Sequence, residues 1–530
     1  MKFALLQINP TVGALKENRL LIANKANEAF RQGADIICTP ELCLSGYPPE
    51  DLIQKNHFCE DCEKHLIILK KELPKNCLII VGSPTIRDNQ KRNTAVVFYN
   101  GKIINKYDKQ ILPNYGVFDE KRLFSEGDSS LIISYKNKKI GFHICEDSWY
   151  ENHTCTSDLK NKIDYLINLS ASPYHKNKNF ARLKTLASTA TKINTTFIYC
   201  NLIGGQDELV FDGRSSIISN KGKILSSANY FKEEIFEWND EKNYNPQKMQ
   251  QEQEIYEALK LGLKDYVKKT GFKNVIIGLS GGIDSALVLA IAVDALGKDY
   301  VEAVTMPSQF SSTETLNDAV QMAKNLKIKL HTLPIKDLFN EFKQVLSKIW
   351  GNEKKSNLTE ENLQARIRGN LIMALSNEYS KLVLTTGNKS EIAMGYCTLY
   401  GDMCGGFALL KDVPKTLVFS LCKWRNSIDE IIPPSIINRP PSAELKPNQK
   451  DSDSLPPYEI LDPILELYIE KKMSFKNIVN KGYDAQLVEF VIKNVEKNEY
   501  KRRQTPPGVK ITPMSFDRDR RMPIANKYID

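Results

Sequence analysis

Short apolar runs alternate with amphipathic segments over the first 240 residues of the chain. The runs FALLQI, DIICT, LIIVGS, AVVFY, IGFHIC, DYLINLS and TTFIYC have the length and the β-branched content of buried strands. Residues Glu17 to Gln32 carry apolar positions at helical spacing between the first two runs. Asn100–Gly101 and Lys221–Gly222 interrupt two apolar stretches as tight hairpin turns do. The pattern predicts an α/β domain whose sheet structure is partly antiparallel.

A polar stretch, NDEKNYNPQKMQQ, follows Trp238 and breaks this rhythm. We therefore predict one domain at residues 1–240, a linker at 241–252 and a second domain at 253–530. The second domain opens with a helix from about Glu252 to Lys269, followed by the strand NVIIGL, a glycine turn and another helix. Three more strands, VEAVTMP, KLHTLPI and KLVLTTG, are separated by helical segments, one of them near 364–380. Strands that alternate with helices in this way predict a parallel, doubly wound sheet.

Composition adds little that is unusual. The 530 residues exceed what one hydrophobic core usually serves, and 42% hydrophobic with 26% charged residues is ordinary for globular proteins. No run approaches the roughly 20 apolar residues of a membrane span, and Asn9 and Pro10 come too early for a secretion signal. Eleven cysteines scattered through apolar runs favour reduced thiols over a disulfide framework. We expect a cytoplasmic protein without a membrane partner.

The formal charge of +9 does not by itself indicate a nucleic-acid partner. Lysine and arginine residues are spread along the whole chain with acidic residues between them, so the sequence predicts no continuous basic groove. We expect no nucleic-acid partner and assign part of the charge to sites that handle phosphate groups.

One cluster, His57, Cys59, Cys62 and His65, has a spacing that could suggest zinc. These residues lie in LIQKNHFCEDCEKHLIILKKEL, whose periodicity favours a helix. A single helix offers no second ligand pair from a distant segment, so we favour the helical interpretation over a structural zinc site.

Three reactive residues stand where strands of the first domain end. Glu41 follows DIICTP, Lys109 follows IINKYD, and Cys145 closes KKIGFHIC. Strand ends are where side chains emerge into a crevice. A thiol, an ammonium and a carboxylate together form the catalytic group of an amidase. The Lys cation favours the thiolate, and the carboxylate accepts the proton of the thiol. Lys109 and a backbone N–H after Cys145 could also stabilise the oxyanion of the tetrahedral intermediate.

The segments around these residues resemble the nitrilase superfamily. PELCLSGYPPEDL, KYDKQILPNYGVFDEKRLF, IGFHICEDSWY and NLSASPYHKNKNFAR occur in the order that the superfamily shows. The resemblance implies an αββα sandwich and an acyl-enzyme route: Cys145 attacks, Glu41 transfers protons, and Lys109 stabilises the oxyanion. By resemblance to its glutaminase members, glutamine is held at three positions, Tyr115, Ser172 and Lys178, while Glu120 matches a supporting second glutamate.

The sequence GLSGGIDS, residues 278–285, joins an apolar strand to a helix in the second domain. It comprises Gly278, Leu279, Ser280, Gly281, Gly282, Ile283, Asp284 and Ser285. Adjacent glycines let backbone N–H groups approach phosphate oxygens at the positive end of the helix. The loop lacks the Gly-Lys-Ser/Thr ending of a Walker A motif, and its aspartate suits Mg²⁺ beside a nucleotide.

This loop resembles the pyrophosphate loop of ATP pyrophosphatases, whose adenine nucleotide alpha hydrolase-like domain is doubly wound. These enzymes adenylate a substrate with ATP, and the flanking segments narrow the choice among them. NLQARIRGNLIMALSN, TTGNKSEIAMGYCTLYGDMCGGFALLKDVPKT, NRPPSAEL and EYKRRQTPPGVKI resemble the NAD synthetases. The match implies ATP contacts at Thr386, Lys415 and Ser442, and Mg²⁺ ligation by Asp284 and Glu391. It implies deamido-NAD contacts at Asn362, Glu391, Asp402 and Lys501.

Taken together, the two resemblances imply that ammonia from glutamine amidates deamido-NAD after ATP has activated its nicotinate carboxylate. Within enzymes the alternative is therefore an ATP pyrophosphatase that amidates or thiolates another acceptor, including RNA. Outside enzymes the alternative is a regulatory module with a dead amidase, against which the intact Glu41, Lys109 and Cys145 argue. The resemblance also implies a homo-oligomer.

Overall fold

The computed structural model describes residues 1–150, 153–239, 244, 248–350, 358–447 and 449–528. The chain divides into two compact units, Met1–Met249 and Gln250–Asp530. Residues 241–243 and 245–247 of the predicted linker lie outside the described residues, so the linker at 241–252 stays a prediction. Among the described helices, none is long and apolar enough to cross a membrane.

The first unit contains two six-stranded sheets. Their strands are β1 (Phe3–Gln7), β2 (Ile36–Cys38), β3 (Leu78–Arg87), β4 (Gln90–Tyr99), β5 (Lys102–Asp108), β6 (Ile132–Tyr135), β7 (Lys138–Ile144), β8 (Tyr165–Ser170), β9 (Thr196–Asn201), β12 (Ser216–Ile218), β13 (Ile224–Ser227) and β14 (Glu234–Trp238). The strand order is β14-β1-β2-β3-β4-β5 in one sheet and β13-β12-β9-β8-β7-β6 in the other. A separate hairpin pairs β10 (Ile203–Gln206) with β11 (Leu209–Asp212). Both predicted hairpins are confirmed, because β4 pairs with β5 and β12 with β13 in antiparallel fashion.

The described part of the first unit also contains α-helices. They are α1 (Leu15–Arg31), α2 (Asn56–Glu72), α3 (Glu120–Leu123), α4 (Thr154–Ser157) and α5 (Lys178–Ile193). Residues such as Ile36, Val97 and Phe142 fill the space between the sheets. The buried side of α1 and α2 packs on one sheet and that of α5 on the other. This layering confirms the αββα sandwich.

The second unit is built on a parallel sheet. Its strands are β15 (Val275–Gly278), β16 (Val301–Thr305), β17 (Lys329–Thr332), β18 (Leu382–Thr385) and β19 (Phe407–Ala408). The strand order is β17-β16-β15-β18-β19, and all neighbouring strands are parallel. From β15 the chain adds strands first on one side and then, from β18 onward, on the other, so the order switches between β15 and β18. The predicted doubly wound sheet is confirmed, and its topological switch point lies where ligands of such sheets bind.

Helices make up most of the remainder of the second unit. They are α6 (Gln251–Lys269), α7 (Ile283–Leu296), α8 (Thr313–Leu326), α9 (Lys336–Trp350), α10 (Leu358–Tyr379), α11 (Lys389–Met394), α12 (Lys415–Asn426), α13 (Pro434–Asn438), α14 (Tyr458–Leu465), α15 (Phe475–Val479), α16 (Ala485–Lys497) and α17 (Glu499–Arg502). Helix α10 starts six residues before the predicted position near 364, and α6 agrees with its prediction to within one residue. Helices α11, α14 and α16 share one apolar cluster, which packs α11 against the other two.

Candidate active sites

Three strand ends of the first unit bring Glu41, Lys109 and Cys145 into one buried site. Glu41 follows β2, Lys109 directly follows β5, and Cys145 directly follows β7. All three residues are buried, and the side chains of Glu41 and Lys109 are 0% exposed. Charge interactions link the Cys145 thiol to both Glu41 and Lys109. The predicted group is therefore assembled in space.

The ammonium of Lys109 lies between two carboxylates. Its Nζ donates to Glu41 Oε1 at 2.7 Å and to both carboxylate oxygens of Glu120, at 2.9 and 2.8 Å. Glu41 also accepts from Asn93 Nδ2 at 2.7 Å and from the Ala171 N–H at 3.1 Å. Hydrogen bonds to both of its oxygens thus fix the orientation of the Glu41 carboxylate.

Burial and neighbouring charges together shift the pKa values of the groups in this site. Burial alone would lower the pKa of Lys109, but Glu120 and Glu41 outweigh it and hold that pKa well above its usual value. Burial, with help from Glu41, raises the pKa of Glu120 to about 7 against the opposing effect of Lys109. Burial and the charge of Glu41 also raise the pKa of Cys145, and Lys109 offsets only part of this. Lys109 thus acts on the Cys145 pKa in the expected direction, but burial outweighs it, so the thiol needs a base.

Cys145 opens a short 3₁₀ turn, Cys145–Ser148, at the end of β7. Its φ of +41° is unusual for a residue with a side chain. The carbonyl of Cys145 accepts from Asn168 Nδ2 at 3.3 Å, and the same Nδ2 donates to Ser148 Oγ at 2.6 Å. Neighbouring side chains therefore hold the turn in this conformation.

The predicted glutamine contacts lie around this turn. Tyr115 is about half exposed and donates its hydroxyl to Glu146 Oε1 at 2.8 Å. Lys178, the first residue of α5, places Nζ 4.5 Å from the ring centre of Trp149 and interacts with the charge of Glu146. Ser172 follows Ala171, the residue whose N–H binds Glu41. The structure thus places all three predicted residues on segments next to the triad.

The GLSGGIDS segment forms the turn between β15 and α7, at the switch point of the parallel sheet. Gly281 has a φ of +82°, and a Cβ there would lie 2.1 Å from the carbonyl oxygen of Thr315. Only glycine fits such a position without movement of the backbone. This turn and the N-terminus of α7, which carries the positive end of the helix dipole, line an open cavity.

Two adjoining cavities contain most of the predicted nucleotide residues. The larger, about 310 Å³, is lined by residues 278–283 together with Thr386, Asp402 and Ser442. The smaller, about 190 Å³, is lined by Asp284, Thr386, Glu391, Asp402, Lys415 and Ser442. Every predicted ATP residue lines at least one of the two cavities. The larger cavity alone is lined by Gly278, Leu279 and Gly281, the smaller alone by Asp284, Ser285 and Lys415, and both by Ser280, Gly282, Ile283, Thr386 and Ser442.

A lysine also joins two carboxylates in the second unit. Lys415 Nζ contacts Asp284 Oδ2 at 2.5 Å and Glu391 Oε1 at 3.1 Å. Asn388 donates from Nδ2 to Asp284 Oδ1 at 2.9 Å and accepts from the Glu391 N–H at 3.0 Å. Burial raises the pKa of Glu391 to about 7 although Lys415 opposes the shift. The two predicted Mg²⁺ ligands are therefore neighbours.

The predicted deamido-NAD residues are spread more widely. Asp402 lines both cavities, and desolvation by the protein around its carboxyl raises its pKa to about 6 although the residue is exposed at the cavity surface. Asp402 accepts from the Thr398 N–H at 2.8 Å, and Thr398 Oγ1 donates to Asn362 at 2.8 Å. Lys501 donates to the carbonyls of Gly395 and Cys397 at 2.7 and 2.8 Å and lines neither cavity.

Comparison with known proteins covers both units. A carbon-nitrogen hydrolase family model matches residues 2–237, and an NAD synthase family model matches residues 255–505. The glutamine-dependent NAD(+) synthetase of Synechocystis sp. is 44% identical over 99% of this chain and 98% of its own length. This chain belongs to the glutamine-dependent NAD(+) synthetase family. The relative from Acinetobacter baylyi is 45% identical with the same coverage.

Two solved structures of this family match nearly the whole chain. The enzyme from Acinetobacter baumannii, in complex with ADP, is 42% identical with a TM-score of 0.79, over 99% of this chain and 98% of that one. The enzyme from Cytophaga hutchinsonii, with the same coverage, has a TM-score of 0.86 at 22% identity and supports the fold alone.

Three residues of these sites were not predicted from the sequence. Asn93 lies on β4, in a stretch without a recognisable motif. Glu146 directly follows the reactive cysteine, and its position alone could have suggested it. Asn388 is followed three residues later by Glu391, and this spacing is the signature of a helix-capping box, which the structure contains.

Proposed function

We infer that this chain is a glutamine-hydrolysing NAD synthetase that catalyses the final step of NAD biosynthesis. It amidates deamido-NAD to NAD through an acyl-adenylate, with ammonia from glutamine, and releases AMP, pyrophosphate and glutamate. One observation supports this most directly. A single chain of this family contains both a buried Glu-Lys-Cys group and a glycine loop at the switch point of a parallel sheet.

We propose that Glu41, Lys109 and Cys145 are the catalytic residues of glutamine hydrolysis. The Cys145 thiol attacks the amide carbon while its proton passes to Glu41, which the raised pKa of the thiol makes necessary. Lys109 stabilises the oxyanion, and Glu41 returns the proton to the departing ammonia. Glu41 then takes a proton from water, which hydrolyses the thioester to glutamate and restores the thiol. Glu120 keeps Lys109 charged and in place.

The amino-acid end of glutamine carries one positive and one negative charge. We propose that Lys178 and Ser172 bind its carboxylate, and that Tyr115 orients the substrate from the half-exposed edge of the site. Glu146 offers a carboxylate beside Tyr115 and Cys145, and we add it as the group that receives the α-ammonium. Opposite charges on Glu146 and Lys178 would then select a free amino acid over a simple amide.

We propose that ATP binds along residues 278–285 and at Thr386, Lys415 and Ser442. The loop supplies backbone N–H groups for the phosphates at the start of α7, and Lys415 supplies a cation that is 2% exposed at the cavity wall. The nicotinate carboxylate of deamido-NAD then attacks the α-phosphorus and displaces pyrophosphate. Ammonia attacks the resulting acyl-adenylate and displaces AMP.

Asp284 and Glu391 suit a magnesium ion that accompanies the nucleotide. Both carboxylates line the smaller cavity, and carboxylate and phosphate oxygens are the ligands that Mg²⁺ prefers. Within the described residues, no group of three or more His, Cys, Asp or Glu side chains is placed to hold a metal ion. Such an ion would neutralise charge on the phosphates.

We propose that deamido-NAD is held by Asn362, Glu391, Asp402 and Lys501. Asn362 and Asp402 are linked through Thr398, so they would act on the substrate as one group. Lys501 fixes the segment at Gly395 and Cys397, so its contribution includes the shape of that segment.

We further propose a cytoplasmic homo-oligomer without a nucleic-acid partner, with the domain linker at 241–252. All eleven cysteines are free thiols, and eight of them are buried within the first unit. Free cysteines in this number are typical of proteins from a reducing compartment.

The test is NAD formation from deamido-NAD, ATP and Mg²⁺, with either glutamine or ammonium as the nitrogen source. Cys145→Ala should abolish the use of glutamine and keep that of ammonium, whereas Asp284→Ala should abolish both. Cys59→Ala and Asp299→Ala, at a buried position and an exposed position outside the sites, are the matched controls. Normal use of glutamine by Cys145→Ala would refute the glutaminase assignment, and wild-type protein that made no NAD from ammonium would refute the acceptor.

A further inference from the structure

We propose that Asp147 is a positioning residue that fixes the Cys145 turn relative to Lys109. The proposal rests on the glutamine hydrolysis proposed above and assigns to Asp147 no contact with the substrate. Asp147 is fully buried and lies two residues after Cys145 in the same 3₁₀ turn.

The Asp147 carboxylate accepts four hydrogen bonds from two separate parts of the chain. Oδ1 accepts from the N–H groups of Gln110 and Ile111, at 3.0 and 2.8 Å. Oδ2 accepts from the Ile144 N–H at 2.9 Å and from the Tyr107 hydroxyl at 2.8 Å. A buried carboxylate with four donors is held rigidly, because each donor would lose its partner if the group moved.

These four donors flank the catalytic residues. Tyr107 precedes Lys109 by two residues, and Gln110 and Ile111 directly follow it, while Ile144 directly precedes Cys145. The Lys109 backbone is also bound, since its N–H donates to the Asn93 carbonyl at 2.8 Å. One carboxylate thus ties the strand end that carries the cation to the strand end that carries the nucleophile.

The conformation of Cys145 makes this connection important. A φ of +41° on a non-glycine residue persists only when its surroundings impose it. The bond from the Ile144 N–H to Asp147 holds the residue before the turn, while Asn168 holds the carbonyl after it. Without the first bond, we expect the Cys145 thiol to shift relative to Lys109 and Glu41.

Asp147→Asn is the sharpest perturbation, because it keeps the shape of the side chain. An amide has one acceptor oxygen, which pairs best with the Gln110 and Ile111 N–H groups. The amide NH₂ then faces both the Tyr107 hydroxyl and the Ile144 N–H. The hydroxyl can accept a hydrogen bond from the NH₂, but the Ile144 N–H is itself a donor and loses its partner. The lost bond therefore lies next to Cys145.

We expect Asp147→Asn to lower kcat for glutamine-dependent NAD formation about 100-fold, as a displacement of about 1 Å in a catalytic group does. The KM for glutamine should change much less than kcat, because three of the proposed substrate contacts, Tyr115, Ser172 and Lys178, lie outside the turn. NAD formation from ammonium should be unaffected. Tyr107→Phe, which removes one of the four bonds, should lower the same kcat about fivefold.

Asp61→Asn is the matched control, since it makes the same chemical change on the exposed face of α2. The proposal is overturned if Asp147→Asn keeps its kcat for glutamine, or if its loss appears in KM alone. If Asp147→Asn does not fold, an unchanged kcat in Tyr107→Phe overturns it. Glutamine use by Cys145→Ala would instead contradict the glutaminase function itself, so the two failures are distinguishable.

Discussion

Gly281→Ala tests whether the turn between β15 and α7 is a phosphate-binding loop. An alanine at a φ of +82° costs about 1 kcal/mol in backbone strain. The larger effect is steric, because the new Cβ would lie 2.1 Å from the Thr315 carbonyl oxygen, and real Cβ atoms do not approach closer than 3.0 Å. Relief requires a movement of about 1 Å in the loop or in the first turn of α8, and such a displacement lowers rates about 100-fold.

Gly271→Ala separates the two contributions. Gly271 lies in the same unit with a φ of +85°, and nothing lies within 4 Å of a Cβ built there. It therefore carries the backbone strain without the collision. We expect NAD formation from ammonium to fall about 100-fold in Gly281→Ala and to stay near wild type in Gly271→Ala. Equal rates in the two variants, measured at saturating ATP and at low ATP, would refute the proposed role of the loop.

Two further variants probe the charges of the glutaminase site. In Lys109→Met the pKa of Glu120, already about 7, should rise further because the cation that lowered it is gone. A carboxyl whose pKa is higher in the folded than in the unfolded chain lowers the stability of the fold as pH rises toward the folded pKa. The variant, with the higher Glu120 pKa, continues to lose stability at pH values where wild type no longer does. Its melting temperature should therefore fall further below that of wild type at pH 8.5 than at pH 6. An equal loss at both pH values, or a similar pH trend in the half-buried surface control Lys25→Met, would contradict this. Glu146→Gln should raise the KM for glutamine about tenfold, which is the effect of losing one hydrogen bond to a charged group. Synthesis from free ammonium should stay unchanged. An unchanged KM for glutamine would exclude Glu146 as the group that binds the α-ammonium of glutamine.

The sheet architecture of both units follows from local patterns in the sequence. Buried parallel strands such as β15 and β18 read as continuous apolar runs, and the turn residues of the β4–β5 hairpin give a local signal. Strand β14 pairs with β1 from the far end of the unit, and β19 has two residues, so neither has a local pattern that identifies it. Their positions depend on tertiary pairing.

The chemical groups of the sites could be selected from the sequence, but their connections could not. Residue types and order pointed to Glu41, Lys109 and Cys145, whereas nothing in the sequence indicates that Lys109 also contacts Glu120 through both oxygens. Lys109 lowers the Cys145 pKa as the sequence predicts, but the net shift is upward and does not follow from the sequence. A sequence shows that a cation is available to the thiol, but the depth of burial that outweighs it is a property of the fold.

Both sites use the same arrangement of charges in different surroundings. A lysine bridges two carboxylates in each, Lys109 between Glu41 and Glu120, and Lys415 between Asp284 and Glu391. In the first unit the carboxylate side chains are 0% and 6% exposed, so protons can move among fixed groups away from solvent. In the second they are 16% and 17% exposed and line a cavity, where an entering nucleotide with its cation can replace contacts to the lysine. The greater exposure of the carboxylates in the second unit is what we expect if the first site transfers protons and the second binds phosphates.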